Sequence, residues 1–216
     1  MFYRTTDDHG LRFNPFKALV APRPIGCIST ESADGAANLA PYSFFNGVSD
    51  SPPMVMFCPN GTHVEGGAKD TLANIHATGE FVCNLSNWAL RDEMNVTSSS
   101  TARGVDEFEL AGLETEPAEL VAVPRVKASP AHLECRHFQT ITLPSTKAEG
   151  TNNMVIGEVV GVHISDAVIK DGLIDMAALR PIARLGYFDY TVVNEVFAMH
   201  RPGKADPDAA QTLVKT

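Results

Sequence analysis

Lys69 closes a loop rich in small residues, Asn60 to Ala68, and directly precedes Asp70-Thr71 and the start of a helical pattern. Small residues let backbone N–H groups approach an anion, a lysine adds positive charge, and a helix N-terminus adds its dipole. That combination suits capture of a phosphate. The string is not a nucleoside-triphosphate loop, because Lys69 does not follow a glycine directly and Asp70 stands before the hydroxyl of Thr71. The plain alternative is a flexible loop with an ordinary helix cap, Asp70-Thr71, and a solvated lysine.

Two further segments carry prolines inside strand-like runs. Pro22-Arg23-Pro24-Ile25-Gly26-Cys27-Ile28 ends in the hydroxyls of Ser29 and Thr30, and Asn38-Leu39-Ala40-Pro41-Tyr42-Ser43-Phe44 follows closely. A proline interrupts a hydrogen-bonded ladder and so belongs at an edge or a bulge. Interrupted ladders leave backbone N–H and C=O groups free for the edge of a ligand. Two irregular edge strands without a ligand are the plain alternative.

Other arrangements fail on inspection. His132 and Glu134 form an H-x-E string, but no P-C-x-x-C follows, so a zinc deaminase is unsupported. Ser98 to Ser100 lie in a polar run without a G-x-S-x-G elbow, so a serine hydrolase is unsupported. The seven histidines are dispersed and form no H-E-x-x-H, and no G-x-G-x-x-G is present. No catalytic side chain and no metal ligand is assigned.

These residues must be positioned mainly by strands. Apolar period two runs through Val20–Thr30, Ala37–Phe45, Met54–Cys58, Phe81–Leu85, His132–Leu143, Met154–Ser165 and Tyr187–Val193. In His132–Leu143, Leu133, Cys135, His137 and Ile141 should share one face. Helical patterns are short: Asp70–Ala77 stopped by Gly79, Trp88–Val96, Asp106–Leu110, and a turn at Met176–Leu179. With no strand–helix–strand alternation, a closed or nearly closed antiparallel barrel is expected. One domain is expected over residues 1–200, with 201–216 as a tail that is mobile or packs on a partner subunit.

Composition fits a soluble enzyme-sized domain. Of 216 residues, 44% are apolar and 20% charged, enough for a core without disulfides or metal. Seventeen basic against 26 acidic residues give a net charge of −9, which argues against nucleic-acid or anionic-membrane partners. The four cysteines are widely spaced in apolar sequence and read as buried thiols. No apolar run reaches 18 residues and no secretory leader is evident, so a reducing cytoplasm is the expected compartment.

Taken together, the strings Pro22-Arg23-Pro24-Ile25-Gly26 with Ser29-Thr30, Asn38-Leu39-Ala40-Pro41-Tyr42-Ser43-Phe44-Phe45, Lys69-Asp70-Thr71 with Asn74, and Arg184-Leu185-Gly186-Tyr187 resemble the flavin reductase-like, FMN-binding split-barrel family, in its flavoredoxin-like branch. The resemblance spans roughly residues 10–200. It implies a mainly β fold: a six-stranded antiparallel Greek-key split barrel with a few short helices, dimerising with FMN near the subunit interface. It further implies that Ser29 and Thr30 lie at the flavin ring or ribityl chain. Asn38, Leu39, Ala40, Ser43 and Phe44 would line the isoalloxazine edge, and Lys69, Asp70, Thr71 and nearby Arg184 would sit at the phosphate. Cys27 departs from the bulkier residue common at its position, and with Ala40 would leave room over the ring.

The implied reaction is hydride transfer from NADH or NADPH to flavin, with a possible partner monooxygenase using the reduced flavin. The cofactor carries the difficult chemistry, so no triad is needed. Two alternatives stand beside it: an FMN-binding electron-transfer or storage protein without a nicotinamide site, and a ligand-free interaction module on the same scaffold.

Overall fold

The computed structural model describes residues 1–146 and 151–199. Seven strands form the main sheet: β1 (Gly26–Glu31), β2 (Ala37–Tyr42), β3 (Phe45–Asp50), β4 (Pro53–Phe57), β5 (Glu80–Leu85), β6 (Ala131–Leu143) and β7 (Asn152–Ile164). Their spatial order is β2-β1-β5-β6-β7-β4-β3, and every neighbouring pair is antiparallel. Strands β2 and β3 thus lie at opposite edges, yet only Ser43 and Phe44 separate them. Three Cα steps reach at most about 11 Å. The sheet must therefore curl until its two edges nearly meet, which makes a barrel split at that seam. Gly26 of β1 marks the closeness: a Cβ there would lie 2.6 Å from the Phe45 ring.

The strand count differs from the six expected. The run Ala37–Phe45 is not one strand; it bends at Ser43–Phe44, and its end begins β3. Its proline sits at a sheet edge, as the ladder argument requires. The first proline segment also breaks, so that Arg23–Pro24 leave the barrel. They join a small sheet with Ile182–Arg184 and Tyr190–Val192.

The barrel interior is apolar, with Ile28, Phe57, Ile75, Phe81, Cys135 and Val155 all fully enclosed. Gly157 is needed there, since a Cβ would come within 2.3 Å of the Phe81 ring. Helix α1 (Asp70–Thr78) closes one end, burying Leu72 and Ile75, and stops at Gly79 in the left-handed region. Its N-cap residue is Lys69, with no side-chain cap. Helices α2 (Arg91–Val96) and α3 (Glu107–Ala111) form an outer layer over β1 and β2, where Met94 and Phe108 pack on Ile25, Cys27 and Leu39. In β6 the simple alternation fails. Glu134 and Cys135 are both enclosed, and the β6–β7 register shifts beside Gly157 and again beside Gly161. The four cysteines are free thiols, three of them buried. No helix among the described residues is long and apolar enough to cross a membrane.

Candidate functional site

Alternation along β2 turns Asn38, Ala40 and Tyr42 to one face, where they meet the N-terminal end of α1. A cavity of about 140 Å³ opens there, walled by these residues, by Lys69, Asp70 and Thr71, and by the hydroxyl-rich segment Thr97–Thr101. Pro41 and Ser98 also border a second cavity of about 110 Å³, whose walls include Ser43, Arg184 and Tyr190. Sharing these two residues, the cavities lie side by side, and the pair is called the cleft, with Lys69 at one end and Arg184 at the other.

A buried hydrogen-bond network fixes the wall. Asn38 Nδ2 donates to Thr71 Oγ1 at 3.0 Å and to Thr30 Oγ1 at 3.1 Å. Tyr42 Oη donates to Thr71 Oγ1 at 2.9 Å, and Asn74 Nδ2 to Thr30 Oγ1 at 3.1 Å. Thr30 thus stands one layer behind the cleft and holds Asn38 and Asn74 in place.

Lys69 is half-buried, 5.9 Å over the Tyr42 ring, and makes no ion pair among the described residues. Burial lowers its pKa, because the charged form loses hydration and no carboxylate replaces it. Asp70, its neighbour, is engaged elsewhere. Its carboxylate pairs with Arg103 and lies 3.6 Å from His63 Nε2. Arg103 also donates to the carbonyls of Gly66 at 2.8 Å and Ala68 at 3.0 Å, clamping the small-residue loop onto α1. The Asp70 side chain therefore anchors the loop; it is not a helix cap. Leu72 N and Ala73 N donate to the Lys69 carbonyl, each at 3.0 Å, whereas the N–H groups of Asp70 and Thr71, residues that line this end of the cleft, have no backbone partner among the described residues.

The eleven residues singled out by sequence fall into three groups. Asn38, Ala40, Lys69, Asp70 and Thr71 line the first cavity, and Ser43 and Arg184 the second. Thr30, Leu39 and Ser29 are enclosed. Leu39 belongs to the outer apolar layer. Ser29 Oγ donates to the Pro124 carbonyl at 2.7 Å and accepts from Asn84 at 3.1 Å, on the face away from the cleft. Phe44 lies half-buried at the seam, with Lys17 and Arg23 each 5.9 Å from its ring. Cys27 is a correction: it packs in the outer layer with Met94 and lines neither cavity of the cleft. Burial pushes its thiol up to about 12, so it is inert.

Sequence reasoning missed His63, Thr97–Thr101 and Glu107 as wall residues. The signal in the sequence is the run of five hydroxyls, which lacks a hydrolase elbow yet lies together on one wall. Glu107 is buried; its carboxylate accepts from Leu39 N and Thr101 Oγ1, each at 3.0 Å. It ties the free edge of β2 to the hydroxyl-rich segment. The next outward position on that edge is Pro41, which has no N–H to offer. The edge is thus closed by a carboxylate and a proline, where the sequence suggested open backbone donors.

The groups gathered at one end, a cation, the Ser99 and Ser100 hydroxyls and helix N–H groups, suit an anion, and a mixed polar and apolar wall runs along β2. Residues 19–188 match the flavin reductase like domain, and the chain belongs to that family. An uncharacterized protein of Deinococcus radiodurans is 36% identical over 198 residues, covering 88% of this chain and 84% of its own. The structure of nitrilotriacetate monooxygenase component B from Bacillus cereus superposes with a TM-score of 0.78 at 30% identity, covering 89% of this chain and all of that one. The flavoredoxin of Desulfovibrio vulgaris shares the fold at 21% identity and a TM-score of 0.72, over 89% of this chain and 95% of its own.

Proposed function

We propose that the cleft binds FMN and that the protein is an NAD(P)H:flavin oxidoreductase. The observation that carries this reading is Lys69, a half-buried lysine whose charge meets no carboxylate among the described residues, beside the N-terminus of α1 and the Ser99 and Ser100 hydroxyls. Those groups suit a phosphate dianion. Asp70 takes part through its N–H and through the Arg103 clamp, and Thr71 orders Asn38 and Tyr42 behind the wall. Ala40 and Pro41 offer a small, flat wall for the ring, and Ser43 and Arg184 lie at its far end. Bound FMN would supply the hydride-accepting ring; the chain's task is to orient it and leave one face open to the nicotinamide. Within this reading Ser29 and Thr30 act from behind the wall, and Leu39 and Phe44 hold the β2–β3 seam.

Each cavity is smaller than the roughly 300 Å³ at which ligand pockets begin. A second copy of the chain covering the cleft would complete it, so a homodimer belongs to this proposal. So do a single domain over residues 1–200 and a tail at 201–216; the tail lies outside the described residues. Similarity to a monooxygenase component supports an oxygenase as the consumer of reduced flavin.

The test is anaerobic mixing of the FMN-loaded protein with NADH or NADPH while the flavin absorbance is followed. Bleaching with saturating dependence on the nucleotide is expected. A yellow protein that neither nucleotide bleaches would instead be an electron-transfer or storage flavoprotein. A protein that takes up no FMN would sink the reading altogether.

A further inference from the structure

The last turn of α1 meets β6 at a pair of imidazoles. His76 Nε2 lies 3.0 Å from Thr140 Oγ1, and His137 Nε2 lies 2.9 Å from the same oxygen. The two rings are 5.7 Å apart, centre to centre, and inclined by 50°. Two ring nitrogens from different elements thus converge on one point. A hydroxyl has a single proton to donate, so at most one imidazole accepts from Thr140 and the other donates its Nε2–H to it.

The backbone brings these groups together by a local departure from regular pairing. Simple alternation would send His137 and Thr140, three positions apart on β6, to opposite faces of the sheet. A bulge prevents this: Gly157 pairs with His137 and Ile156 with Gln139, which leaves Phe138 unpaired. Bulges re-aim side chains in this way. His137 N donates to the Gly79 carbonyl at 2.8 Å, which fastens the bulge to the residue that ends α1. His76 sits in the last turn of that helix, where the terminal carbonyls carry partial negative charge and favour a cation.

We propose that His76 and His137 bind a divalent transition cation of the zinc, copper and nickel class through their Nε2 atoms. Imidazole suits these ions, whereas magnesium and calcium take oxygen ligands. With the ion standing where the hydroxyl stands and Thr140 turned aside, each imidazole advances by only about 1 Å to reach the roughly 2.0–2.1 Å of a metal–imidazole bond. His76 is exposed, and His137 and Thr140 are half-buried, so the place is open to solvent. No third histidine, cysteine or carboxylate joins the pair among the described residues, and water completes the coordination. Both imidazoles then carry their proton on Nδ1. The ion ties the last turn of α1 to β6, at the far end of the helix whose first turn lines the cleft. Nothing in this depends on the flavin reading.

Calorimetric titration of zinc chloride into the flavin-free, chelator-treated full chain tests the site. Zinc is expected to bind through the pair, and His76→Ala and His137→Gln should each weaken it more than about tenfold, the least that even an outer-shell partner of a metal contributes. Copper(II) in place of zinc should give an electron paramagnetic resonance signal split by two nitrogens in the parent and by one in each variant. Zinc should also raise the thermal unfolding midpoint of the parent, because it binds the folded chain, and raise that of His76→Ala much less. His76 is exposed, so its replacement should leave the circular dichroism without metal unchanged. No zinc uptake by the parent overturns the proposal. So does uptake that is equal in both variants, which would belong to the other five histidines. A protein that binds zinc through the pair and takes up no FMN would leave this site standing and fell only the flavin reading.

Discussion

Replacing Lys69 by alanine separates phosphate recognition from every other role the residue could have. In the free protein the ammonium is half-buried, lowered in pKa by lost hydration, and opposed by no carboxylate among the described residues. Its removal should therefore leave folding stability unchanged or slightly higher. In the proposed FMN complex the same group would make a charge-assisted contact worth about 1.5 to 3 kcal/mol, or roughly tenfold to 150-fold in Kd. Riboflavin lacks the phosphate and should lose less than about threefold. Titration by flavin fluorescence quenching measures both ligands, and thermal unfolding without flavin supplies the stability control. The pH dependence adds a second readout. The phosphate takes up its second charge around about pH 6, so affinity should rise through that range. Because the binding form of Lys69 is the cation and its pKa is lowered, affinity should fall again as pH rises, at a pH below the 10.5 of a free lysine. The alanine variant should keep the first limb and lose the second. Equal losses for FMN and riboflavin, or an alkaline limb unchanged in the variant, would refute the assignment.

Two other perturbations probe the cleft wall and the fold that carries it. Ala40 is half-buried on the cleft face of β2, so Ala40→Trp should fill the ring position and cost FMN about 1 to 3 kcal/mol or more while the far-ultraviolet circular dichroism stays native; unchanged affinity would remove β2 from the site. Glu134 is fully enclosed and accepts from Glu119 N at 2.8 Å, Leu120 N at 2.6 Å and His163, pinning the 117–124 loop to the sheet. Burial pushes its carboxyl up, but these bonds outweigh burial and the net direction is down. A depressed carboxylate contributes stability above its unfolded pKa and loses it as pH falls through the folded value, so Glu134→Gln should flatten the acid side of the urea-midpoint profile; a profile that keeps its parental slope would show the pairing to be without consequence.

The barrel was legible because apolar strand-length runs mark most of the main-sheet strands, even where alternation fails as in β6, and because glycine and proline mark its turns. What sequence could not supply is where a strand stops pairing. Ala37–Phe45 looks continuous, yet the bend at Ser43–Phe44 carries the chain from one sheet edge to the other. That bend creates the seam, and no local propensity encodes it. The capping reading of Asp70 failed for a related reason: an arginine 33 positions later claims the carboxylate. Thr97–Thr101 and Glu107 reach the cleft only because α2 and α3 cover β2 from outside, a packing set by Met94 and Phe108.

Ser29 and Thr30 show how far a motif string can be taken. Adjacent residues on a strand point to opposite faces, so a single strand cannot turn both hydroxyls to one ligand. Thr30 Oγ1 accepts from Asn38 and Asn74 behind the cleft wall, and Ser29 Oγ bonds Pro124 and Asn84 on the outer side. The pair fastens β1 to both layers: inward to β2 and α1, outward to the segment that leads into β6. A hydroxyl pair in this position has a structural reason to exist whether or not a ligand touches it. The discriminating residues are those whose state in the free protein is unfavourable without a partner. By that criterion the half-buried, unpaired Lys69 points to a ligand and Ser29 does not, although the resemblance gave both the same standing.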